Sequence, residues 1–497
     1  MYSTTTMDSS NDDEFFEVSY SRKDLILYAL SLGMGSHRDD SNELKFLYEN
    51  HDAFTAVDTF ALVLIYLATP KVTADAKTIG AAGNTNTNDA MIIDIPSFPP
   101  PMMSLGVIPN QFLRPINSNN NNVDLVSNLP LIHTWQSIVW HQPLEVPTSP
   151  SIFSSSSAAA ATTTTTRRIR KSMNIRAISV QPKSIGTFVT SQCQVYNTKP
   201  TAARADVGEL CCTIQFTTLV LGIKPENVIA YDAGIERLTQ KRMSNNGSMN
   251  SRMAEEVKRR PPPIFQWMYQ TNPNTALLYR IGSGDSNHIH VDTSASSALL
   301  LGGEKRRNGT SKKKKLLKAT TATTTRPLLH GLFTLALSFR AITKFITTTY
   351  DTNNNDIHND GSSSTKKWKE QKMMTAKLKL EFQKLEGKFK HPAFVGDRLC
   401  VKLWKQQQQQ TETKNQTVTN SSSNNITEME IDTETEATPS TTKLFHFLFE
   451  IMNPITGKVV VDCGHAQVEV SLSSVSEGPV LALGGSASDP IQITSKL

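Results

Sequence analysis

Tyr279-Arg-Ile-Gly-Ser-Gly-Asp-Ser-Asn-His-Ile-His290, followed after an interval by Arg326-Pro-Leu-Leu-His-Gly331, is the stretch on which the reading of this chain turns. The first part brings Asp285, Asn287, His288 and His290 within six residues, just after the short apolar run 277–281. That run reads as a short strand or a helix end leading into Gly282-Ser-Gly284. The polar cluster admits three readings. Carboxylate and imidazole are good metal ligands, but no His-Glu-x-x-His helix or cysteine pair completes a site. A carboxylate beside an imidazole also suits general acid/base work on a shared water. A polar loop that caps its own backbone would look the same. The second part opens an apolar segment, 328–345, with Leu332, Leu335, Ala336, Phe339 and Ile342 on one helical face. A glycine at the start of such a helix admits close approach. Its N–H points outward with the positive helix end behind it, a site for a developing oxyanion.

Working outward, residues 24–30 have helical spacing after a Ser21 N-cap and stop at Gly33 and Gly35. Residues 60–68 form an apolar core segment, too short for a membrane span. Core-like sequence returns at 131–144, and strand-like runs follow at 172–180, 186–195 and 209–221. A second ordered unit starts near Phe265. It contains strand-like segments within 377–404 and an antiparallel pair, 444–451 with 458–470, turned at Asn453-Pro-Ile-Thr-Gly457. Residues 71–95, 148–166, 302–325 and 406–442 are Thr-, Ser-, Asn-, Gln- or Lys-rich insertions. The pattern predicts an α+β chain with an N-terminal domain over 15–222, a linker over 223–263, a C-terminal domain over 264–472 and a tail over 473–497.

Composition sets the outer bounds. The chain has 497 residues and a net charge of +6. The basic runs 305–307 and 312–315 carry no interleaved aromatic residues, so a nucleic-acid partner is not expected. Five cysteines with no zinc or disulfide spacing point to a reducing compartment. The N-terminus is polar, then acidic at Asp12, Asp13 and Glu14, unlike a secretory or mitochondrial leader. Ser495-Lys496-Leu497 matches a peroxisomal address, so a peroxisomal import receptor is an expected partner.

The 279–290 and 327–332 segments together resemble the hydratase 2 motif of MaoC-like proteins, as in peroxisomal multifunctional enzyme type 2 and free-standing plant hydratases. Residues 24–33, 44–49, His133 with Pro143-Leu144, and 389–397 resemble further family blocks. The resemblance implies a double hot-dog fold, in which antiparallel sheets each wrap a central helix. It implies a (3R)-specific enoyl-CoA hydratase, a hydro-lyase of fatty-acid β-oxidation that needs no metal or other cofactor. Asp285 and His290 would activate water, Asn287 would support them, and the Gly331 N–H would polarise the thioester. Acyl-CoA contacts carry over to His133, Thr134, Lys183, Asp285, Ser286, Asn287, His288, Ile289, His290, Gly331 and Phe389. The first domain would accommodate the acyl chain. Pairing of two chains as a homodimer stands beside internal pairing of the two units. An acyl-CoA thioesterase and a non-catalytic acyl-CoA-binding module are the rival readings. The chain departs from the motif in three places. His288 replaces a proline, Ser286 replaces a bulky side chain, and one extra residue, Gly282 or Ser283, precedes Gly284.

Overall fold

The computed structural model describes residues 15–36, 41–68, 108–114, 129, 131–147, 168–198, 207–234, 261–297, 299, 326–355, 377–406 and 441–473. The tripeptide 495–497, the basic runs and most of the low-complexity insertions lie outside these residues.

The N-terminal half begins with β1 (Phe15–Tyr20), whose alternate residues Phe16, Val18 and Tyr20 are buried. Helix α1 (Arg22–Ser31) starts where Ser21 and Asp24 lock together. The Ser21 N–H and hydroxyl donate to the Asp24 carboxylate at 2.7 and 2.8 Å, satisfying groups that a helix start leaves open. After the helix, Gly33 has φ +77° and the Tyr269 hydroxyl occupies the space a Cβ would need, so only glycine fits. Residues 58–63 form a 3-10 turn that runs into a four-residue helix, α2 (Leu64–Leu67). Then come β2 (Leu131–Trp140), β3 (Ile169–Lys183), β4 (Gly186–Thr198), β5 (Val207–Val220) and β6 (Tyr231–Asp232).

The C-terminal half supplies β7 (Phe265–Gln270), α3 (Thr275–Ser283), α4 (Gly331–Asn355), β8 (Lys377–Phe389), β9 (Arg398–Lys405), β10 (Thr441–Met452) and β11 (Val459–Ser473). The run at 277–281 is therefore helical. The turn after β10 is held by the Asn453 side chain, which accepts from the Ile455 and Thr456 N–H groups at 3.0 and 3.1 Å.

All strand pairs are antiparallel, in the order β1-β3-β4-β5-β2-β8-β11-β10-β9-β7, with β6 added beside β3. Helix α4 runs through the concave side of the second half. Leu332, Phe333, Leu335, Ala336, Leu337, Phe339, Ala341 and Ile342 are all buried. Apolar burial around the whole circumference marks a central rather than a surface helix. Its buried hydroxyls turn back on the helix, as Ser338 does to the Leu335 carbonyl at 2.6 Å. The sheet curled on a buried helix is the hot-dog arrangement.

Three details differ from the expectation. The two five-strand sets form one continuous sheet, because β2 pairs with β8 from Trp135↔Lys388 to Val139↔Lys384. Where the first half would place a long helix, its described residues hold only the 58–67 segment, buried beneath the sheet. The first part of the stretch read as a linker is packed: Tyr231 and Asp232 pair with Val180 and Ser179. Among the described residues no helix is long and apolar enough to cross a membrane.

Candidate active site

Asp285 owes its position to the end of α3. Gly284 has φ +76°, and its N–H donates to the Arg280 carbonyl at 3.0 Å, closing the helix with a left-handed cap. The extra residue at 282–283 is taken up within α3. Gly282 packs so closely on Ser31 and the Leu27 carbonyl of α1 that a side chain would collide there. After the cap, Asp285 Oδ1 accepts the main-chain N–H of Asn287 at 3.1 Å. The Asn287 side chain accepts from the Ile289 N–H at 3.3 Å and starts a 3-10 turn, His288–His290. Asn287 thus supports Asp285 through its backbone while its amide shapes the turn. His288 lies within that turn, where a proline is not needed to form it.

The turn delivers His290 to the segment before α4. His290 Nδ1 lies 3.0 Å from the Leu328 carbonyl. That acceptor requires the Nδ1–H tautomer and leaves Nε2 as the free acceptor of a neutral ring. The Leu328 N–H reaches back to the Ile289 carbonyl at 3.4 Å, so two hydrogen bonds at Leu328 stitch the motif segments together. Gly331 is the first residue of α4, so its N–H has no carbonyl partner one turn earlier in the helix.

Asp285 and His290 are 6% and 8% exposed. Desolvation raises the Asp285 carboxyl above its usual range, against the opposing pull of His290 and of hydrogen bonds from Asn287 and Tyr66. Desolvation likewise lowers His290, opposed by Asp285. Burial therefore favours a neutral imidazole next to a carboxyl that holds its proton more tightly than usual. This is an arrangement for moving one proton between two groups.

Asp285, His290 and Gly331 all line one cavity of ≈ 390 Å³, together with His133, Leu131, Phe389 and residues of the 390–393 turn. Apolar side chains make up much of the wall. Of the other residues read from sequence, Asn287, Ile289, His133 and Phe389 line it, and Ser286, His288, Thr134 and Lys183 do not. Thr134 sits in a bulge of β2 between His133 and Trp135, and its hydroxyl donates to the Thr217 carbonyl at 3.0 Å. Lys183 is exposed at the β3–β4 turn. The cation that lines the cavity is Lys390, ion-paired with Asp462. His133 is a neutral wall: desolvation pushes it down to about 4, its Nε2–H donates to the Trp135 carbonyl at 3.0 Å, and its ring packs 4.9 Å from Phe389.

Two residues given no role by sequence reasoning also stand here. His330 precedes Gly331 and is buried, with its ring 3.7 Å from that of His290 and 25° out of parallel. Asp285, His290 and His330 bring potential ligand atoms within 4.8 Å of one another. Imidazole binds an ion along the in-plane lone pair at ~2.0–2.1 Å. Two nearly parallel, stacked rings share no such point, so the trio as arranged favours proton transfer over metal binding. The second residue is Tyr66 of α2, which lines the same cavity and whose hydroxyl is raised by burial and then by the nearby Asp285 charge. Nothing in the sequence around Tyr66 signals this. His330 was visible in the Leu-Leu-His-Gly run, though without a function.

Residues 18–93 match the family model of the MFE-2 hydratase 2 N-terminal domain. The matched block contains the 24–33 and 44–49 segments that resemble further family blocks. Among solved structures the chain is similar to a MaoC-like dehydratase from Phytophthora capsici, at 15% identity and a TM-score of 0.46, over 93% of this chain and 96% of that one. It is also similar to full-length peroxisomal multifunctional enzyme type 2 from Drosophila melanogaster, at 18% identity and a TM-score of 0.43. That likeness covers 92% of this chain and 48% of the other. No curated protein matches the sequence.

Proposed function

We propose that this protein is a hydro-lyase that adds water to trans-2-enoyl-CoA to give (3R)-3-hydroxyacyl-CoA. The observation that carries the reading is the convergence of Asp285, His290 and Gly331, the first residue of α4, on one largely apolar cavity. A water held between Asp285 and His290 gives up a proton to the pair as its oxygen bonds to C3. Electron density moves through C2 to the thioester oxygen, which the Gly331 N–H and the start of α4 stabilise. The pair returns one proton to C2, so the elements of one water are added and the site is restored. The free Nε2 of His290 suits the first transfer, and the proton affinity of Asp285 suits the second. The apolar wall of Leu131, Ile132, Leu328 and Leu329 fits an acyl chain, and Lys390 near the 390–393 turn fits a CoA phosphate.

Purified protein given trans-2-decenoyl-CoA is expected to yield the 3R alcohol on chiral analysis. A 3S product, or no turnover across several chain lengths, overturns the reading. Release of free thiol without hydration would favour a thioesterase, and tight binding without turnover a binding module. The peroxisomal setting is an expectation that rests on Ser495-Lys496-Leu497. A fluorescent fusion lacking those three residues is expected to lose its punctate location while the protein keeps its turnover.

Gly331→Ala tests the oxyanion role. A Cβ at this position would lie 3.3 Å from the Phe389 ring, so either the ring or the start of α4 must shift. The neighbour must give by a few tenths of an ångström, so kcat/KM is expected to fall several-fold, short of the ~100-fold that a ~1 Å misplacement of the N–H would cost. Steady-state kinetics within twofold of wild type would remove Gly331 from the mechanism.

A further inference from the structure

Asp285 is reached from both halves of the molecule. On its own side, the Asn287 N–H takes Oδ1 at 3.1 Å. From the other half, α2 passes directly over the α3 cap, and a Cβ placed on Gly284 would lie 3.5 Å from both the Tyr66 carbonyl oxygen and the Tyr66 Cβ. Tyr66 is 7% exposed and lines the same cavity as Asp285, whose nearby charge adds to burial in raising the Tyr66 hydroxyl. It also lines two cavities, the catalytic one and a smaller apolar one bounded by Leu62, Ile65, Cys193, Ile214 and Phe216. Its ring is therefore part of the partition between the site and the interior of the first half, and its hydroxyl faces the site.

A carboxylate offers about four lone-pair positions. One is taken by Asn287, one is open to the Tyr66 hydroxyl, and the remainder are left to the water shared with His290. A buried tyrosine hydroxyl needs a partner, and the Asp285 carboxylate is the charged acceptor that shares this cleft with it.

We propose that Tyr66 is a positioning residue for catalysis: its hydroxyl, delivered by the N-terminal half, holds the Asp285 carboxylate in the orientation that presents a free oxygen to water and to His290. The proposal rests on the hydratase reading of the site. It assigns the N-terminal half a part in the chemistry as well as in housing substrate. Without the donor, the carboxylate is free to rotate away from the water, and its charged form loses a stabilising hydrogen bond. Around Asp285 the ionisable groups are His290, His330, Arg280, Tyr279 and Tyr66 itself, and only the last is altered by the test.

Tyr66→Phe keeps the ring and removes the donor. It is expected to lower kcat about tenfold, to leave KM within about threefold, and to move the acid limb of the kcat/KM profile up by about one pH unit, the scale of one lost hydrogen bond to a charged group. Tyr66→Gln, which restores an N–H donor, is expected to bring the acid limb back towards wild type. Lost activity with an unmoved acid limb, or unchanged kinetics, overturns the proposal. If Tyr66→Phe fails to fold by circular dichroism, Tyr66→Met serves as the donor-free variant. The second measurement does not need turnover. The carboxyl stretch of Asp285, isolated by infrared difference between the protein and its Asp285→Asn variant, is titrated with and without the Tyr66 hydroxyl. A midpoint that rises when the hydroxyl is removed supports the proposal, and an unmoved midpoint overturns it. Absence of turnover in the wild-type protein would sink the hydratase reading alone, because the infrared titration still decides the role of Tyr66.

Discussion

Asp285→Asn and His290→Ala are each expected to lower turnover of trans-2-enoyl-CoA by about 1,000-fold or more, the upper part of the range for a positioned acid/base group. Asparagine keeps an acceptor for the Asn287 N–H but cannot exchange a proton. Alanine at 290 removes the free Nε2 and also the link to the Leu328 carbonyl. The Asp285 variant carries a second expectation with the opposite sign, on stability. In the unfolded chain the carboxyl titrates near its usual ~3.9; in the folded protein burial raises it. Between those two values the folded state binds the extra proton, so the group's contribution to stability falls as pH rises. The loss is complete above the folded value. Asp285→Asn, which has no charge to desolvate, is therefore expected to melt higher than wild type at pH 8 and nearly level with it below pH ~4. Thermal denaturation followed by circular dichroism at the two pH values measures this. An inactive variant that is less stable at pH 8 would mean that asparagine disrupts the loop, and the kinetic result would then say nothing of proton transfer.

Removing the guanidinium of Arg340 is expected to be among the most destabilising single changes in the molecule. Arg340 lies on the central helix α4 with its side chain 4% exposed, ion-paired with Glu43. Its Nε donates to the Glu43 carboxylate at 3.0 Å, and Nη1 donates to the Leu32 carbonyl at 2.8 Å, at the end of α1. The guanidinium also lies 5.1 Å from the ring centre of Trp267 and 5.7 Å from that of Tyr269 on β7. One side chain thus joins the central helix of the second half to the first helix of the chain and to an edge strand. Arg340→Met keeps the length but leaves Glu43, itself 14% exposed, without its counter-charge. Breaking a buried pair on one side costs about 3–5 kcal/mol. Adding Glu43→Gln is expected to recover part of it, because the stranded charge is gone. Denaturant unfolding of Arg340→Met, Glu43→Gln and the double variant against wild type provides the cycle. A cost below about 1 kcal/mol for Arg340→Met, the level of a surface ion pair, would show that water screens the pair and that packing alone joins the halves.

Much of the fold is written locally. The β-branched runs near 172–180, 186–195 and 209–221 are β3, β4 and β5. The Asn453–Gly457 turn joins β10 to β11, and Ser21 starts α1 with Asp24 as its partner. Each of these is decided by side chains within a few residues of one another, so alternation, turn chemistry and capping suffice. Where local signals compete, the sequence is ambiguous. The 277–281 run is apolar, yet Leu277, Leu278 and Ile281 are 46%, 51% and 66% exposed. Its apolar positions do not mark the buried face, and its helical form could not be separated from a strand by periodicity.

The site divides in the same way. The loop Gly284–His290 and the glycine that opens α4 are sequence features, and the resemblance assigned their roles. Whether a residue faces the cavity was not legible. A bulge between His133 and Trp135 turns Thr134 onto the Thr217 carbonyl and leaves His133 on the wall. Lys183 has the right charge but stands at a hairpin turn, while Lys390 lines the cavity. Tyr66 carries no local mark at all. By itself the sequence determined β3 to β5, the β10–β11 pair, the start of α1 and the polar loop 284–290, because those depend on neighbours along the chain. The tertiary structure alone decided that β2 joins β8, that His290 meets the Leu328 carbonyl, and that Tyr66 and Asp285 line one cavity. These contacts exist only once the sheet has curled around α4 and closed the two halves on each other, and no spacing within either partner's own segment encodes them.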